Sequence, residues 1–325
     1  MPTIKDVAKE AGLAVGTVSR VLNNRGYISD EARRKVDEAM KKLRYHPNEN
    51  ARSLKKQKSN TVGVIVPHIA HPYFSSLVSY IEEEAHAAGF RVILLNSKGL
   101  EKNEIRLLDI CESNNVAGII LCSGRLSMKD YIRLDLPVVT IERSTEGDCT
   151  SIECDNEAGG RIATEHLIER GCRRLLHISG RTEKNMPADL REKGYKEACR
   201  DHGLEACIIR TQLHKYKLEN AASFMKQVFD DYPETDGIFA SNDLLAAGVI
   251  QECGRRGISV PGTLKVVGFD GTHFASMLTP VLTTIRQPVT EMARQAVEII
   301  HSCDRRHSAA ERIIFPVELA LGETT

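Results

Sequence analysis

Two patterns of apolar residues divide the chain near residue 60. Before this point, apolar side chains recur every three or four residues, which is the spacing of helices that bury one face. After it, continuous apolar runs alternate with amphipathic segments, as expected for strands buried on both faces and separated by helices. The sequence therefore predicts a short helical region followed by a larger α/β region.

The first two predicted helices lie within TIKDVAKEAGLAVGTVSRVL, residues 3–22. Thr3 is placed to cap the first helix, and Asp6 follows three residues later beside the positive end of the helix dipole. Gly12 stands where a helix ends in a left-handed residue. The second helix presents a small, polar or basic outer face made of Val15, Gly16, Thr17, Ser19 and Arg20. This face suits a DNA major groove, although an ordinary helical hairpin has the same apolar pattern.

A third helix is predicted from Ser29 to about Leu43, so that three short helices share one small core. Pro47 ends this region. The basic stretch NENARSLKKQKS follows, with Leu54 as its one large apolar side chain. Two interpretations stay open for this stretch: a solvated linker, or a hinge that becomes helical when it docks on DNA.

The strands predicted after Thr61 fall into two successive strand–helix sets, the second beginning at Ala158. Two such sets imply two similar lobes with parallel sheets and a cleft between them. Ligands of parallel sheets bind at the carboxyl ends of the strands. The segments that leave these ends are polar and aromatic, which suits a polar small molecule: PHIAHPYF, CSGR, SGRTEKN, ASND and GFDG.

Composition narrows the class of protein. The 325 residues are 42% hydrophobic and 27% charged, as in soluble globular proteins, and no apolar run approaches the ~18 residues of a membrane span. The chain has 9 cysteines without a C-x-x-C pair, and we expect no secretory signal because the N-terminal residues lead directly into a charged helix. We therefore expect reduced thiols, a cytoplasmic location and no membrane partner.

The zero net charge conceals an uneven distribution. Residues 1–58 carry 14 lysines and arginines against 7 acidic residues, a net of +7, so the remainder carries −7. Such a basic head is expected to meet a polyanion. The sequence contains no dinucleotide, phosphate-loop, H-E-x-x-H or G-x-S-x-G motif and no paired nucleophile and base. We therefore expect binding rather than catalysis, with no cofactor or metal.

Taken together, these segments resemble the LacI/GalR (lactose-repressor/galactose-repressor) family of bacterial transcriptional regulators. The segments that carry the resemblance are TIKDVAKEAG, TVSRVLN, NENARSLK, SND, VVGFD and LTTIRQP. The resemblance implies an α/β fold with a three-helix helix-turn-helix head, a hinge helix and a two-lobed core like a periplasmic binding protein with parallel sheets. The implied ranges are 1–46 for the head, 47–59 for the hinge and 60–325 for the core.

Within the core, the resemblance assigns about 60–158 and 288–314 to the N-lobe and about 159–287 and 315–325 to the C-lobe. The chain would cross between the lobes near Ala158, Gln287 and Phe315.

The resemblance also implies a repressor that binds a pseudo-palindromic operator in double-stranded DNA as a homodimer. The implied DNA contacts are Thr3, Val15, Gly16, Thr17, Ser19, Arg20 and Asn23 in the head, and Leu54 and Lys55 in the hinge. Val15 and Gly16 would choose the operator sequence, and Leu54 would wedge between base pairs in the minor groove. Ala14 stands where the family usually has a capping serine, a loss that would cost about 1 kcal/mol.

A small-molecule effector, with a sugar or sugar phosphate as the first choice, would occupy the cleft between the lobes. The positions implied to bind it are Tyr73, Phe74, Asp155, Arg191, Tyr216, Asn242 and Asp270. Aromatic faces stack on sugar rings, and Arg, Asn and Asp grip hydroxyls. Structural alternatives stay open: Tyr73 and Phe74 pack a helix start, Asp155 caps a helix, and Arg191 pairs with Asp270.

Two other functional classes also stay open. One is a cytosolic sugar-binding receptor without DNA regulation, and the other is an enzyme on the same two-lobed fold, which no motif favours. A requirement for a protein co-regulator is likewise open.

Overall fold

The computed structural model describes residues 2–23, 26–45, 59–122, 136–143, 149–180, 186–211, 218–302 and 310–325. The chain divides into two compact units, residues 1–59 and 60–325. Three predicted site residues, Leu54, Lys55 and Tyr216, lie outside the described residues.

The first unit contains three helices: α1 (Ile4–Ala11), α2 (Val15–Asn23) and α3 (Asp30–Leu43). The Asp6 carboxylate accepts hydrogen bonds from the backbone N–H and the hydroxyl of Thr3, and Gly12 ends α1 in the left-handed region at φ 63°. The Ser29 hydroxyl accepts from the N–H of Ala32 and so caps α3. The predicted three-helix head is therefore confirmed, and its fully or nearly buried core is Val7, Ala8, Val18, Val21, Val36 and Ala39.

The second unit is built on two six-stranded sheets. Its elements up to the end of the first strand set are β1 (Thr61–Val66), α4 (Pro72–Ala87), β2 (Arg91–Asn96), α5 (Glu101–Ser113), β3 (Gly118–Leu121), β4 (Val138–Ile141) and β5 (Thr150–Cys154). The following elements are α6 (Asn156–Glu169), β6 (Leu175–Gly180), a 3₁₀ turn (Pro187–Asp189), α7 (Leu190–Asp201), β7 (Cys207–Thr211), α8 (Leu218–Asp231), β8 (Gly237–Ala240), α9 (Asp243–Arg256), β9 (Lys265–Asp270), α10 (His273–Ser276), β10 (Thr283–Arg286), α11 (Val289–Ser302), β11 (Arg312–Phe315) and β12 (Glu318–Ala320).

The first sheet has the order β11-β5-β4-β3-β1-β2 and the second β12-β10-β9-β8-β6-β7. All their pairings are parallel except that of β10 with β12. Strands β1, β3, β4, β5 and β8 are almost wholly buried, which explains their continuous apolar sequences. The predicted two-lobed architecture with parallel sheets is confirmed.

The chain passes between the two lobes at three places. After β5 it enters α6, which packs on α7 and on the second sheet; after β10 it enters α11, which packs on α4 and on the first sheet. Between β11 and β12 it returns to the second sheet within residues 316–317. Side chains at these crossings are shared by both lobes, so a site built there senses their relative position.

None of the helices in the described ranges is both long enough and apolar enough to span a bilayer.

Candidate functional site

The outer face of α2 carries the predicted DNA-contact residues of the head. Val15, Gly16 and Arg20 are exposed and Thr17 and Ser19 partly exposed, whereas Val18 and Val21 on the opposite face are buried. Helical periodicity alone produces this separation, because residues three or four apart share a face. The side chains of this face are small near the start of α2, and Arg20 adds a guanidinium farther along the helix. The face therefore offers apolar contact and one long hydrogen-bond donor.

Two further head positions have partners within the protein. Thr3 donates its hydroxyl to Asp6 at 2.8 Å, so a phosphate contact would compete with this capping bond. Ala14 accepts the N–H groups of Thr17 and Val18 through its backbone carbonyl, so α2 starts without a side-chain cap from this position. Asn23 is the last residue of α2, and its side chain lies outside the described set.

Tyr27 is a candidate contact that the sequence interpretation missed. It lies in the loop between α2 and α3, follows Gly26 in the left-handed region, and is 94% exposed. The available signal was an aromatic residue in the polar sequence that follows α2. Its phenol can stack on a sugar or donate to a phosphate.

In the second unit, Arg191 is the centre of a buried polar cluster. It is the second residue of α7 and is 6% exposed. Its Nε donates to Asn156 Oδ1 at 2.7 Å, and its Nη1 donates to the carbonyl of Ser241 at 2.6 Å. The guanidinium carbon lies 3.6 Å from the centre of the Phe269 ring, a cation–π contact. These contacts fix the arginine in a single orientation.

Two glycines allow the backbone of Arg191 to sit directly on α6. A Cβ at Gly160 would collide with the Arg191 carbonyl, and a Cβ at Gly194 would collide with the carbonyl of Glu157. Helices α6 and α7 therefore touch backbone to backbone, as helices do where only glycine fits.

Two carboxylates face the guanidinium from different lobes. Arg191 Nη2 lies 3.8 Å from Glu142 Oε2, and Arg191 Nη1 lies 3.7 Å from Asp270 Oδ1. Glu142 follows β4 of the first sheet, and Asp270 ends β9 of the second. The cluster thus links the lobes electrostatically, and the pairing of Arg191 with Asp270 that the sequence left open is present.

Asp270 has an unusual backbone conformation and a raised pKa. Its φ is 114°, a conformation rare for residues other than glycine, and the side chain is 4% exposed. Its Oδ1 accepts from Gln287 Nε2 at 2.8 Å. Burial raises its pKa well above the ordinary value; the Arg191 guanidinium opposes this shift and the nearby Asp243 carboxylate adds to it.

Glu142 is a cluster residue that sequence analysis did not identify. Its carboxylate accepts from the Cys154 N–H at 2.7 Å and from Asn156 Nδ2 at 3.0 Å. Its backbone is left-handed, with φ 53°. Burial raises the pKa of this carboxyl group, and Arg191 opposes the shift. The available signal was an acidic residue directly after the buried strand VVTI, although such residues are usually solvated turns.

Tyr73 and Phe74 are the second and third residues of α4 and lie beside this cluster. Tyr73 is 4% exposed, and its hydroxyl has no hydrogen-bond partner among the residues that the structure describes. Burial raises its pKa well above the ordinary value, and the charges of Glu142 and Asp270 act in the same direction. Its ring meets Phe74 edge to face at 5.2 Å between centroids. The orphaned hydroxyl is the kind of atom that a bound ligand satisfies.

Asp155 and Asn242 both cap helices. Asp155 Oδ1 accepts from the Ala158 N–H at 2.9 Å, and Asn242 Oδ1 accepts from the Leu245 N–H at 2.8 Å. The structural alternative for Asp155 is therefore present, and a ligand contact by either residue stays a prediction.

The sequence is similar to those of known proteins that combine a DNA-binding head with a two-lobed core. The profile of bacterial regulatory proteins of the lacI family matches residues 3–48, and that of the periplasmic binding protein-like domain matches residues 164–325. The ribose operon repressor of Bacillus subtilis (strain 168) is 36% identical over 326 residues, covering 100% of this chain and 99% of that protein. The chain belongs to the lacI family.

Two other relatives of this lacI-family chain bear on the cleft. The sucrose operon repressor of Streptococcus mutans serotype c is 35% identical over 327 residues, covering 99% of this chain and 98% of that protein. A crystal structure of a periplasmic binding protein/LacI transcriptional regulator from Alkaliphilus metalliredigens QYMF, complexed with D-xylulofuranose, is 34% identical, with a TM-score of 0.76 over 82% of this chain and 99% of that one.

Proposed function

We propose that this chain is a sequence-specific DNA-binding repressor that acts as a homodimer on a pseudo-palindromic operator and responds to a sugar or sugar phosphate bound between the lobes of its second unit. The observation that carries the proposal is the buried Arg191 cluster, in which carboxylates from both lobes meet one guanidinium. The repressor names of the relatives and the sugar complex of the structural neighbour support it.

The cluster is suited to recognise hydroxyl groups. A guanidinium with carboxylate oxygens 3.7 and 3.8 Å from its nitrogens offers forked donors and acceptors to vicinal hydroxyls. The aromatic pair Tyr73 and Phe74 offers a ring face and an unused hydroxyl. We infer direct effector contacts for Arg191, Asp270, Tyr73 and Phe74, with Asn242, Asp155 and Tyr216 as further candidates.

Because the cluster contains residues of both lobes, a ligand bound there can change how the lobes are arranged. Glu142 belongs to one lobe and Asp270 to the other, and Gln287, which bonds Asp270, lies at the second crossing. A ligand that replaces the contact of Arg191 with Glu142 changes the free-energy difference between lobe arrangements. By linkage, the same ligand then changes the affinity for operator DNA.

The head supplies the DNA side of the proposal. Thr17, Ser19 and Arg20 would hold the DNA, Val15 and Gly16 would select bases by apolar contact, and the hinge residues Leu54 and Lys55 would act in the minor groove. The +7 charge of residues 1–58 predicts operator binding that weakens steeply with salt.

The test is selection of binding sites from random DNA by the full-length chain, followed by titration of the selected site with and without D-ribose, sucrose and D-xylulose. We expect the selected palindrome to bind on the order of 1,000-fold tighter than scrambled DNA at physiological salt. At least one sugar should change operator affinity tenfold or more. An absence of sequence preference, with sugar binding retained, would instead establish a sugar receptor without DNA regulation.

A further inference from the structure

The described residues around Arg191 include several hydrogen-bond acceptors with unused lone pairs. Gln287 is 3% exposed; its Nε2 donates to Asp270, and its Oε1 has no partner within the described ranges. The carboxylates of Glu142 and Asp270 face the guanidinium at 3.8 and 3.7 Å, beyond hydrogen-bond distance. These groups have lone pairs that can accept hydrogen atoms from a ligand.

The charges around Arg191 also favour a ligand that donates hydrogen bonds over one that carries negative charge. Glu142 and Asp270 share the single guanidinium of Arg191, and Asp243, which is 1% exposed, lies close enough to Asp270 to repel its negative charge. Asp243 itself is held by Thr284 and by the Thr272 N–H. Among the described residues, two carboxyl groups thus share the Arg191 guanidinium, and a third lies near Asp270. A proton retained on Asp270 would make that group a donor, but it would not make the cluster positive.

We propose that the cleft takes a neutral, unphosphorylated sugar whose hydroxyls donate hydrogen bonds to Glu142, Asp270 and Gln287, and that it rejects the phosphate ester of the same sugar. This inference rests on the proposed function and narrows its ligand class. Glu142 then becomes a specificity-determining residue, because its carboxylate both accepts a hydroxyl hydrogen and repels an anion.

A phosphate group fits this environment poorly for two physical reasons. A phosphate dianion accepts hydrogen bonds and donates none, so it would set acceptors against acceptors. It would also add negative charge where the dielectric constant is low and two carboxylates already compete for Arg191. Sites that bind phosphates instead gather several guanidinium or backbone N–H donors.

The experiment is isothermal titration of the full-length chain with matched pairs: D-ribose and D-ribose 5-phosphate, D-fructose and D-fructose 6-phosphate, and sucrose and sucrose 6-phosphate. In any pair that binds, we expect the free sugar to bind on the order of 100-fold tighter than its ester. Equal or tighter binding of an ester would overturn the inference and leave the proposed function standing; Arg143, buried beside Glu142, would then be the cation to examine. Failure of every pair would overturn the sugar-effector part of the proposed function as well.

A variant that removes the charge of Glu142 tests whether this carboxylate causes the preference for the free sugar. Glu142→Gln keeps the shape of the side chain, and we expect it to reduce the preference for the free sugar from about 100-fold to about tenfold. Glu83→Gln, which removes the same charge from the exposed face of α4, should leave the preference unchanged. An unchanged preference in Glu142→Gln would contradict the role given to its carboxylate. If that variant does not fold, Asp270→Asn carries the same expectation.

Discussion

The helical head and the Arg191 cluster place their functional groups in opposite environments. The head has a small core of short side chains, including Val18 and Val36, and presents Val15, Gly16 and Arg20 to solvent. The cluster buries its functional groups in the interior of a much larger unit. An exposed functional face costs the fold little, whereas removal of one charge from a buried cluster leaves its partners buried without compensation. Mutations should therefore separate stability from function in the head and couple them in the cleft.

The largest expected effect comes from Arg191→Ala. This variant leaves Glu142 and Asp270 buried without their cation, so the second unit should lose about 3 kcal/mol of unfolding free energy together with its response to sugar. Denaturant unfolding and ligand titration measure the two losses. The matched control is Arg210→Ala: Arg210 pairs with Glu192 at the surface, and its loss should cost less than 1 kcal/mol. A stability unchanged in Arg191→Ala would break the comparison.

The next effect is a pH dependence that belongs to the large unit. His177 is fully buried between Tyr195 and Phe239, and its Nδ1 lies 2.9 Å from the Phe239 carbonyl. Burial lowers its pKa to about 4. Unfolded His177 binds a proton near pH 6.5 and folded His177 does not, so its contribution to stability falls by about 3 kcal/mol as the pH falls from 6.5 towards 4.

The check is a series of denaturant unfolding curves between pH 7.5 and 4.5. The raised pKa values of Glu142, Asp243 and Asp270 have the opposite sign, since those groups gain stability as the pH falls. His177→Asn retains an amide donor towards Phe239 and isolates the histidine contribution. The difference in stability between wild type and this variant should shrink at low pH, and a constant difference would refute the assignment.

Val18→Ala should lower the free energy of unfolding less than Arg191→Ala does, but it should weaken DNA binding strongly. Val18→Ala removes two methyl groups from the core of the head, at a cost of about 2 kcal/mol. For a unit of this size that is a large part of the total stability. Operator affinity should fall while sugar binding stays intact. Val15→Ala, on the exposed face of the same helix, should leave stability within about 0.5 kcal/mol and change base preference instead.

The smallest effect concerns Tyr27. Because this side chain is 94% exposed, Tyr27→Ala should not change the melting temperature. If the phenol contacts the DNA backbone, operator and scrambled DNA should both bind about fivefold more weakly. Fluorescence anisotropy with both DNAs makes the measurement. A loss confined to the operator would assign Tyr27 to base reading, and no loss on either DNA would remove it from the interface.

The two regions also differ in how far the sequence predicts them. The head is governed by local rules: the cap at Ser29, the left-handed Gly12 and the spacing of Val18 and Val21 are each readable within a few residues. The strands and the order of the lobes follow from apolar runs separated by helices. The short strands β11 and β12 were not among the predicted ones, since three or four residues carry little periodicity.

The cluster in the cleft could be predicted only in part. Arg191 and Asp270 entered through resemblance to a family, and their proximity depends on α7 and β9 meeting in space. Glu142, Asn156 and Gln287 follow strands or begin a helix, positions where polar residues are normally turns and caps. Their burial arises from the three lobe crossings, which periodicity does not describe. Asp155 and Asn242 illustrate the reverse, because local rules identify their capping bonds directly.

The contact of Gly160 and Gly194 between α6 and α7 has a consequence for how effector preference evolves. A side chain at either position would push the α7 backbone away from α6 and carry Arg191 with it. A mutational scan for new ligand preferences should therefore find both glycines intolerant of substitution. Inherited variation in preference would have to arise in the groups that surround a stationary guanidinium. The glycines thus hold Arg191 in place, and we expect new preferences to come from changes in its neighbouring side chains.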